Sequence, residues 1–346
     1  MNMTMIKAVE PITGELGVQH LVDTLVKEKE RKLDYELSLN KIRVNKDLKF
    51  ESDETGEFSF SEKGFKQLCQ NISEYTIPYD YMMNLYEHDK EQFASLINWH
   101  LKHAKDTEKK LRGIKGEDGL NIRGIVSPKF QPFDNLDALE TFMTAMKFQG
   151  IDDYQIKTST IKEDFMFLRF MLPSTMQSFG KTVDGKEDWN YMAMDLINGE
   201  TGNSTLKLVS SAYRQVCTNG MVALDVIDSL NKRHVGQEKD FINGMTGAIR
   251  QGIAIGDKTL QELAMTKKIL VDNPYEVITK YAKQLKLSDS QQKTVRENYE
   301  IEPERNVMSI INAFTRTARD LKSIDKRIQM EKFASHIMEK ELKRLK

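Results

Sequence analysis

Close to Met221 the apolar residues of this chain give up strand-like alternation for good, and that change decides what it can fold into. Ahead of that point they mostly alternate: Tyr35, Leu37, Leu39, Ile42 and Val44, then Phe58 and Phe60, then the paired segments 154–160 with 165–172 and 191–197 with 204–210. Alternation marks a strand with one buried face, and the polar stretches inside each pair suit the turns of antiparallel hairpins. Beyond Met221 the apolar positions within 223–230, 241–255, 260–270, 274–285 and 305–345 fall three and four apart, which is helical spacing. The pattern predicts an α+β fold in which an antiparallel sheet is covered by helices and followed by a helical C-terminal region.

Three stretches result: an N-terminal helical segment at 1–34, an α+β core at 35–221, and a helical region with a basic amphipathic tail at 222–346. Val18, Leu21, Val22, Leu25 and Val26 share one helix face in the first stretch. Within the core, Ser61 and Gly64 open a helix with Phe65, Leu68, Cys69 and Ile72 as its buried stripe, Pro78 precedes a second, and 90–112 predicts a third. Gly113, Gly116 and Gly119 suggest a hairpin connection; no Gly-Lys-Ser/Thr follows them, so they do not make a phosphate cradle. Asp134 and Asn135 are placed to cap a helix starting near Leu136. Tyr213, Arg214, Cys217, Asn219 and Gly220 form a corner that reads as a strand passing into a helix, with Gly220 free to take positive φ.

The 346 residues include 51 Lys and Arg against 52 Asp and Glu, so a net charge of −1 exerts no general pull on nucleic acid or an anionic membrane. Any binding patch has to be local. Cys69 and Cys217 lie outside CxxC or Cys/His spacing, which argues for buried reduced thiols over a zinc site or disulfide framework. No stretch approaches the roughly 18 apolar residues of a membrane span, and no signal-peptide core follows Lys7. A soluble, cytoplasmic protein without a membrane span is expected.

Catalytic constellations are incomplete. His100 and His103 sit nearly one turn apart but lack a third ligand nearby, and the pairs Asp152-Asp153 and Glu163-Asp164 fall where acids commonly mark turns. No Gly-x-Ser-x-Gly elbow is present, and Cys217 has no local signature joining it to a histidine, with a distant partner such as His234 left open. Methionines on the strands, Met166, Met171, Met192 and Met194 among them, read as adaptable packing. The expectation is a non-enzyme with no cofactor and no metal.

Cations offer more. Arg123, Lys129, Lys157, Lys162, Arg169, Lys207 and Arg214 lie on or beside the strands, interleaved with Phe130, Phe133, Tyr154 and Tyr213. Such a mixture can follow a phosphate backbone and stack bases, although any sheet with one buried face also alternates apolar and charged residues. From Thr317 to Lys346 nine Lys and Arg stand against five Asp and Glu, behind an apolar stripe that includes Val307, Ile310, Ile311, Phe314 and Ala318. That stripe must meet a surface: a protein partner docked on 305–346, another copy of the chain, nucleic acid, or its own core.

The string from Arg123 through Gly-Ile-Val-Ser-Pro-Lys-Phe-Gln-Pro-Phe-Asp to Asn135, the Asn203-Ser204 pair after its Gly-Glu-Thr-Gly turn, the Tyr213 to Met221 corner and Asn312-Ala-Phe-Thr315 resemble the phage- and plasmid-associated family of unknown function called DUF932. The resemblance spans roughly 30–320, in order. It implies a mobile-element protein in a bacterial cytoplasm and brings no catalytic residues. Together with the charged strands, it leads to a homo-oligomeric protein that binds single-stranded DNA without catalysis, in recombination or replication. Arg123, Lys129, Arg169, Lys207 and Arg214 are the expected phosphate anchors, and Asn203, Tyr213, Cys217, Asn219 and Gly220 are motif candidates. The alternative is a structural or host-interaction protein docking a partner through its C-terminal helices.

Overall fold

Short strands β1 (Ile6–Lys7) and β2 (Ile12–Gly14) precede helix α1 (Val18–Lys29), which buries Leu21 and Leu25. The computed structural model describes residues 6–7, 12–14, 17–72, 76–214, 219–222, 230–321 and 323–344. Strands β3 (Lys32–Ser38), β4 (Arg43–Val44), β5 (Phe50–Ser52) and β6 (Gly56–Ser61) lead into α2 (Glu62–Asn71), which starts where the Ser61 hydroxyl accepts from the Gly64 N–H. Then come α3 (Tyr79–His88) and α4 (Lys90–Lys102), followed by the hairpin β7 (Glu108–Gly116) and β8 (Gly119–Val126). Asp134 caps α5 (Asn135–Phe148) through a reciprocal capping box with Asp137, as its position suggested.

The second sheet is built from β9 (Gln155–Lys162), β10 (Phe165–Lys181), β11 (Glu187–Asn198), β12 (Leu206–Arg214), β13 (Asn219–Val222) and β14 (Leu230–Lys232). A long helix α6 (Glu238–Thr266) crosses it, and α7 (Pro274–Gln284), α8 (Asp289–Glu300), α9 (Val307–Arg319) and α10 (Ile324–Leu342) complete the chain. The α+β class and the helical C-terminal region stand as expected.

There are two sheets, however, where one was expected. The first runs β3-β7-β8-β6-β5-β4, with β1 beside β6; β6 pairs in parallel with both β8 and β1. The second runs β13-β12-β11-β10-β9-β2, with β14 also on β12, and is antiparallel throughout. Each has its own core. Phe50, Phe60, Phe65 and Phe93 pack around the first, while Leu168, Phe170, Met194 and Leu196 face α5 and α6 in the second.

Several local readings change. The helix expected over 90–112 ends at Lys102, and 108–116 is strand, because Gly113 lets β7 lie tightly between its neighbours: a Cβ there would come within 2.9 Å of the Leu33 carbonyl. The Tyr213 corner is a strand pairing with a strand: Tyr213 sits opposite Gly220 and Arg214 opposite Asn219, β13 returning along β12. Cys217 lies outside the described residues, as does most of the helical stretch expected at 223–230, whose last residue belongs to β14. The segments 241–255 and 260–270 join into the single helix α6, and 305–345 divides into α9 and α10. The apolar stripe on α9 is covered by the chain itself: Val307, Ile310, Ile311, Phe314 and Ala318 are all buried, with Ala334, Ile337 and Met338 of α10 in the same core.

Candidate nucleic-acid interface

Two strings from the sequence, 123–135 and 199–203, meet where the sheets join. Gly124 is the close approach, since a Cβ on it would lie 2.7 Å from Thr201 Cβ. Gln67 of α2 clasps the contact by donating to the Thr201 carbonyl at 2.9 Å and accepting the Ile125 N–H at 2.6 Å. Around them a buried ionic cluster forms. Arg123 reaches Glu28 at 3.0 Å and Glu200 at 3.1 Å, while Arg112 reaches Asp134 at 2.7 Å, Asp34 at 3.2 Å and the Glu200 carbonyl at 2.6 Å. Burial alone would raise the Asp134 carboxyl, but Arg112 and Lys32 hold it below its ordinary value.

On one side of this junction a cleft of about 1000 Å³ opens. It is edged by the turn after β11, the start of α2, the β9–β10 turn, β12, β14 and the 233–235 segment. Its lining includes four cations, Lys63, Lys162, Lys207 and Arg233, against one carboxylate, Asp164, which Lys63 approaches at 3.5 Å. Among the described residues no ion pair engages Lys162, Lys207 or Arg233. Phe165 is half-buried in the lining, and Phe130 and His234 border it from buried positions.

Asn203 stands at the rim, accepting from Gln67 Nε2 at 2.7 Å and donating to Asp164 at 3.3 Å. Beside the cleft Glu163 keeps one carboxylate oxygen buried without a hydrogen-bond partner, and burial pushes its pKa up to about 8, with Asp164 adding to the shift and Arg123 opposing it.

Of the five expected phosphate anchors, the cleft takes in only Lys207. Lys129 is exposed but is absent from the cleft lining. Arg123, Arg169 and Arg214 are buried and neutralised, which removes them as anchors: a guanidinium paired with carboxylates inside the protein is out of reach of a phosphate at the surface. Arg169, wholly enclosed, holds Asp195 and Glu331 each at 2.6 Å, and Arg214 holds Asp188 at 2.6 Å and Glu302 at 2.5 Å. Tyr213 is buried in a small cluster with Met171, Tyr191 and Ala193. Cys69 is a free thiol, pushed up to about 12 by burial and therefore unreactive near neutrality. His103 has its Nδ1 on the Trp99 carbonyl at 2.7 Å.

Lys63 and Arg233 were not singled out in the sequence, because nothing local ties a residue at a helix start to one more than 150 positions away; Lys162 and Phe130 were visible as part of the basic and aromatic interleaving. No helix among the described residues is long and apolar enough to cross a membrane. Comparison with family models, curated proteins and solved structures finds no match.

Proposed function

We propose that this chain binds single-stranded DNA in the cationic cleft and performs no chemistry on it. The observation that supports the reading is a group of cations unpaired among the described residues, Lys162, Lys207 and Arg233, converging with aromatic rings on one concave surface of a chain whose net charge is −1. Cations without internal partners are free to replace the counterions of a phosphate backbone, and a groove admits an unpaired strand more readily than a rigid duplex. The resemblance to the phage and plasmid family points to a role in recombination or replication of a mobile element, in the cytoplasm of a bacterial host. Self-assembly into an oligomer would multiply individually weak contacts along a strand.

The test is fluorescence anisotropy with a labelled oligothymidylate over a series of salt concentrations, accompanied by light scattering. Binding should weaken as salt rises, and Lys162→Ala with Lys207→Ala should lower the log–log slope by about 0.7 for every phosphate that is no longer neutralised. Absence of binding at low salt, or affinity indifferent to salt, refutes the reading.

A further inference from the structure

His234 stands out among the groups lining the cleft. It is only 3% exposed, and neither ring nitrogen has a hydrogen-bond partner, whereas buried polar side chains nearly always have one. Aromatic rings pack against it: Phe130 stacks on it at 4.9 Å between ring centroids with 17° between planes, and Phe241 lies tilted at 5.8 Å. The Arg112 guanidinium lies over the Phe130 ring at 5.6 Å from its centroid and that ring is only 7% exposed, so it cannot also serve as an open stacking platform. What the imidazole has left to offer lies in its own plane. Burial, reinforced by Arg112, lowers its pKa to about 4, with the Gln131 backbone close enough to pull the other way yet outside hydrogen-bonding geometry, so at neutral pH it is uncharged, with one N–H to donate and one bare nitrogen to accept.

Building on the cleft reading, we propose that His234 is the base-recognising contact of the site, a positioned imidazole that takes the hydrogen-bonding edge of a nucleobase. Phosphate is a poorer match, since an uncharged ring adds no electrostatic attraction and its acceptor nitrogen would face oxygen lone pairs. A base edge carries donors and acceptors, and either imidazole tautomer finds a complement on it. The labour divides accordingly: Lys162, Lys207 and Arg233 hold the backbone near the rim, and the ring at the floor distinguishes a strand that carries bases from one that does not. Both nitrogens are covered in this structure, so the base has to part Phe130 or the 233–235 segment from the ring edge, and contact satisfies groups that are otherwise unmet.

The decisive comparison sets oligothymidylate against an abasic strand of equal length. The protein should prefer the base-bearing strand by about tenfold, the scale of one well-placed hydrogen bond to a buried group. His234→Phe keeps the aromatic stack and should abolish that preference while leaving the salt slope intact. Equal, salt-dependent binding of both strands by the unaltered protein overturns the inference alone, and binding of neither overturns the cleft reading with it. Retention of the preference in a folded His234→Phe protein also overturns the inference. Should that variant fail to fold, the ring nitrogens of His234 in the unaltered protein, followed by nitrogen NMR, should shift with oligothymidylate and stay unmoved with the abasic strand; no shift with either overturns it.

Discussion

Replacing Arg169 with methionine isolates the difference between a cation that binds ligand and one that holds the fold. Methionine fills much of the arginine stem's volume, so the main loss is charge and hydrogen bonding. Arg169 donates to Asp195 from Nε at 2.7 Å and Nη2 at 2.6 Å, and to Glu331 from Nη1 at 3.0 Å and Nη2 at 2.6 Å. Glu331 would keep Arg327 at 3.0 Å, but Asp195, with 1% of its side chain exposed, would keep no hydrogen-bonded cation among the described residues. One stranded interior carboxylate corresponds to about 3–5 kcal/mol. Urea denaturation followed by circular dichroism should therefore show a lower midpoint at nearly constant slope.

The pH dependence supplies the sign. Without Arg169 the enclosed Asp195 carboxyl titrates above its unfolded value, so protonation favours the folded state and the deficit shrinks as pH falls from about 7 toward about 5. Adding Asp195→Leu should recover much of the loss, because an apolar pair of similar size needs no charge partner. A deficit under about 1 kcal/mol at neutral pH, or one that grows on acidification, refutes the argument. DNA affinity of the folded variant should be unchanged, since Arg169 does not reach the cleft.

Glu163→Gln should alter how stability responds to alkali. Its folded pKa, raised to about 8 in the company of Arg123, Asp164, Lys63 and Glu62, means that stability present below the unfolded carboxyl pKa is lost as pH climbs toward about 8; the glutamine variant should flatten this decline in denaturation midpoints. DNA binding by the unaltered protein should also weaken as Glu163 ionises beside the cleft, and anisotropy on either side of pH 8 checks this. Gly124→Ala should cost about 1–3 kcal/mol by thermal denaturation, because the new methyl would meet Thr201 Cβ at 2.7 Å and Gln67 Oε1 at 3.2 Å. Truncation after Asp320 should leave a protein that does not fold cooperatively by calorimetry, since it removes Glu331 from Arg169 and Ile337 from the core.

Strands β9 to β12 of the second sheet were legible because their turns and alternation are local properties, whereas β2, β13 and β14 were not; the caps at Ser61 and Asp134 were legible for the same local reason. What could not be read was that both faces of this sheet are covered. Arg169 does lie on the face opposite Leu168 and Phe170, as alternation demands, yet that face meets α10 instead of water; its partner Glu331 is 162 residues away, and Arg214 finds Glu302 at a separation of 88. A signal was nevertheless present. Arg169 within Phe-Met-Phe-Leu-Arg-Phe-Met-Leu and Asp195 within Tyr-Met-Ala-Met-Asp-Leu-Ile are single charges inside apolar strands, and they face each other in register. A lone charge in such a run predicts an internal ion pair better than a surface anchor. The cleft, by contrast, gathers residues from separate elements between α2 and α10, and only their three-dimensional meeting makes a site.

The buried ionic cluster around Glu200 gives the molecule two kinds of electrostatics that respond differently to the medium. Lys162 and Arg233 face water and feel dissolved ions, whose atmosphere damps their reach beyond about 8 Å at physiological strength, whereas Arg112 and Arg123 are sealed from it. Concentrated brine should consequently release a captured strand while the halves stay fastened, so stripping co-purified polynucleotide need not endanger the native state.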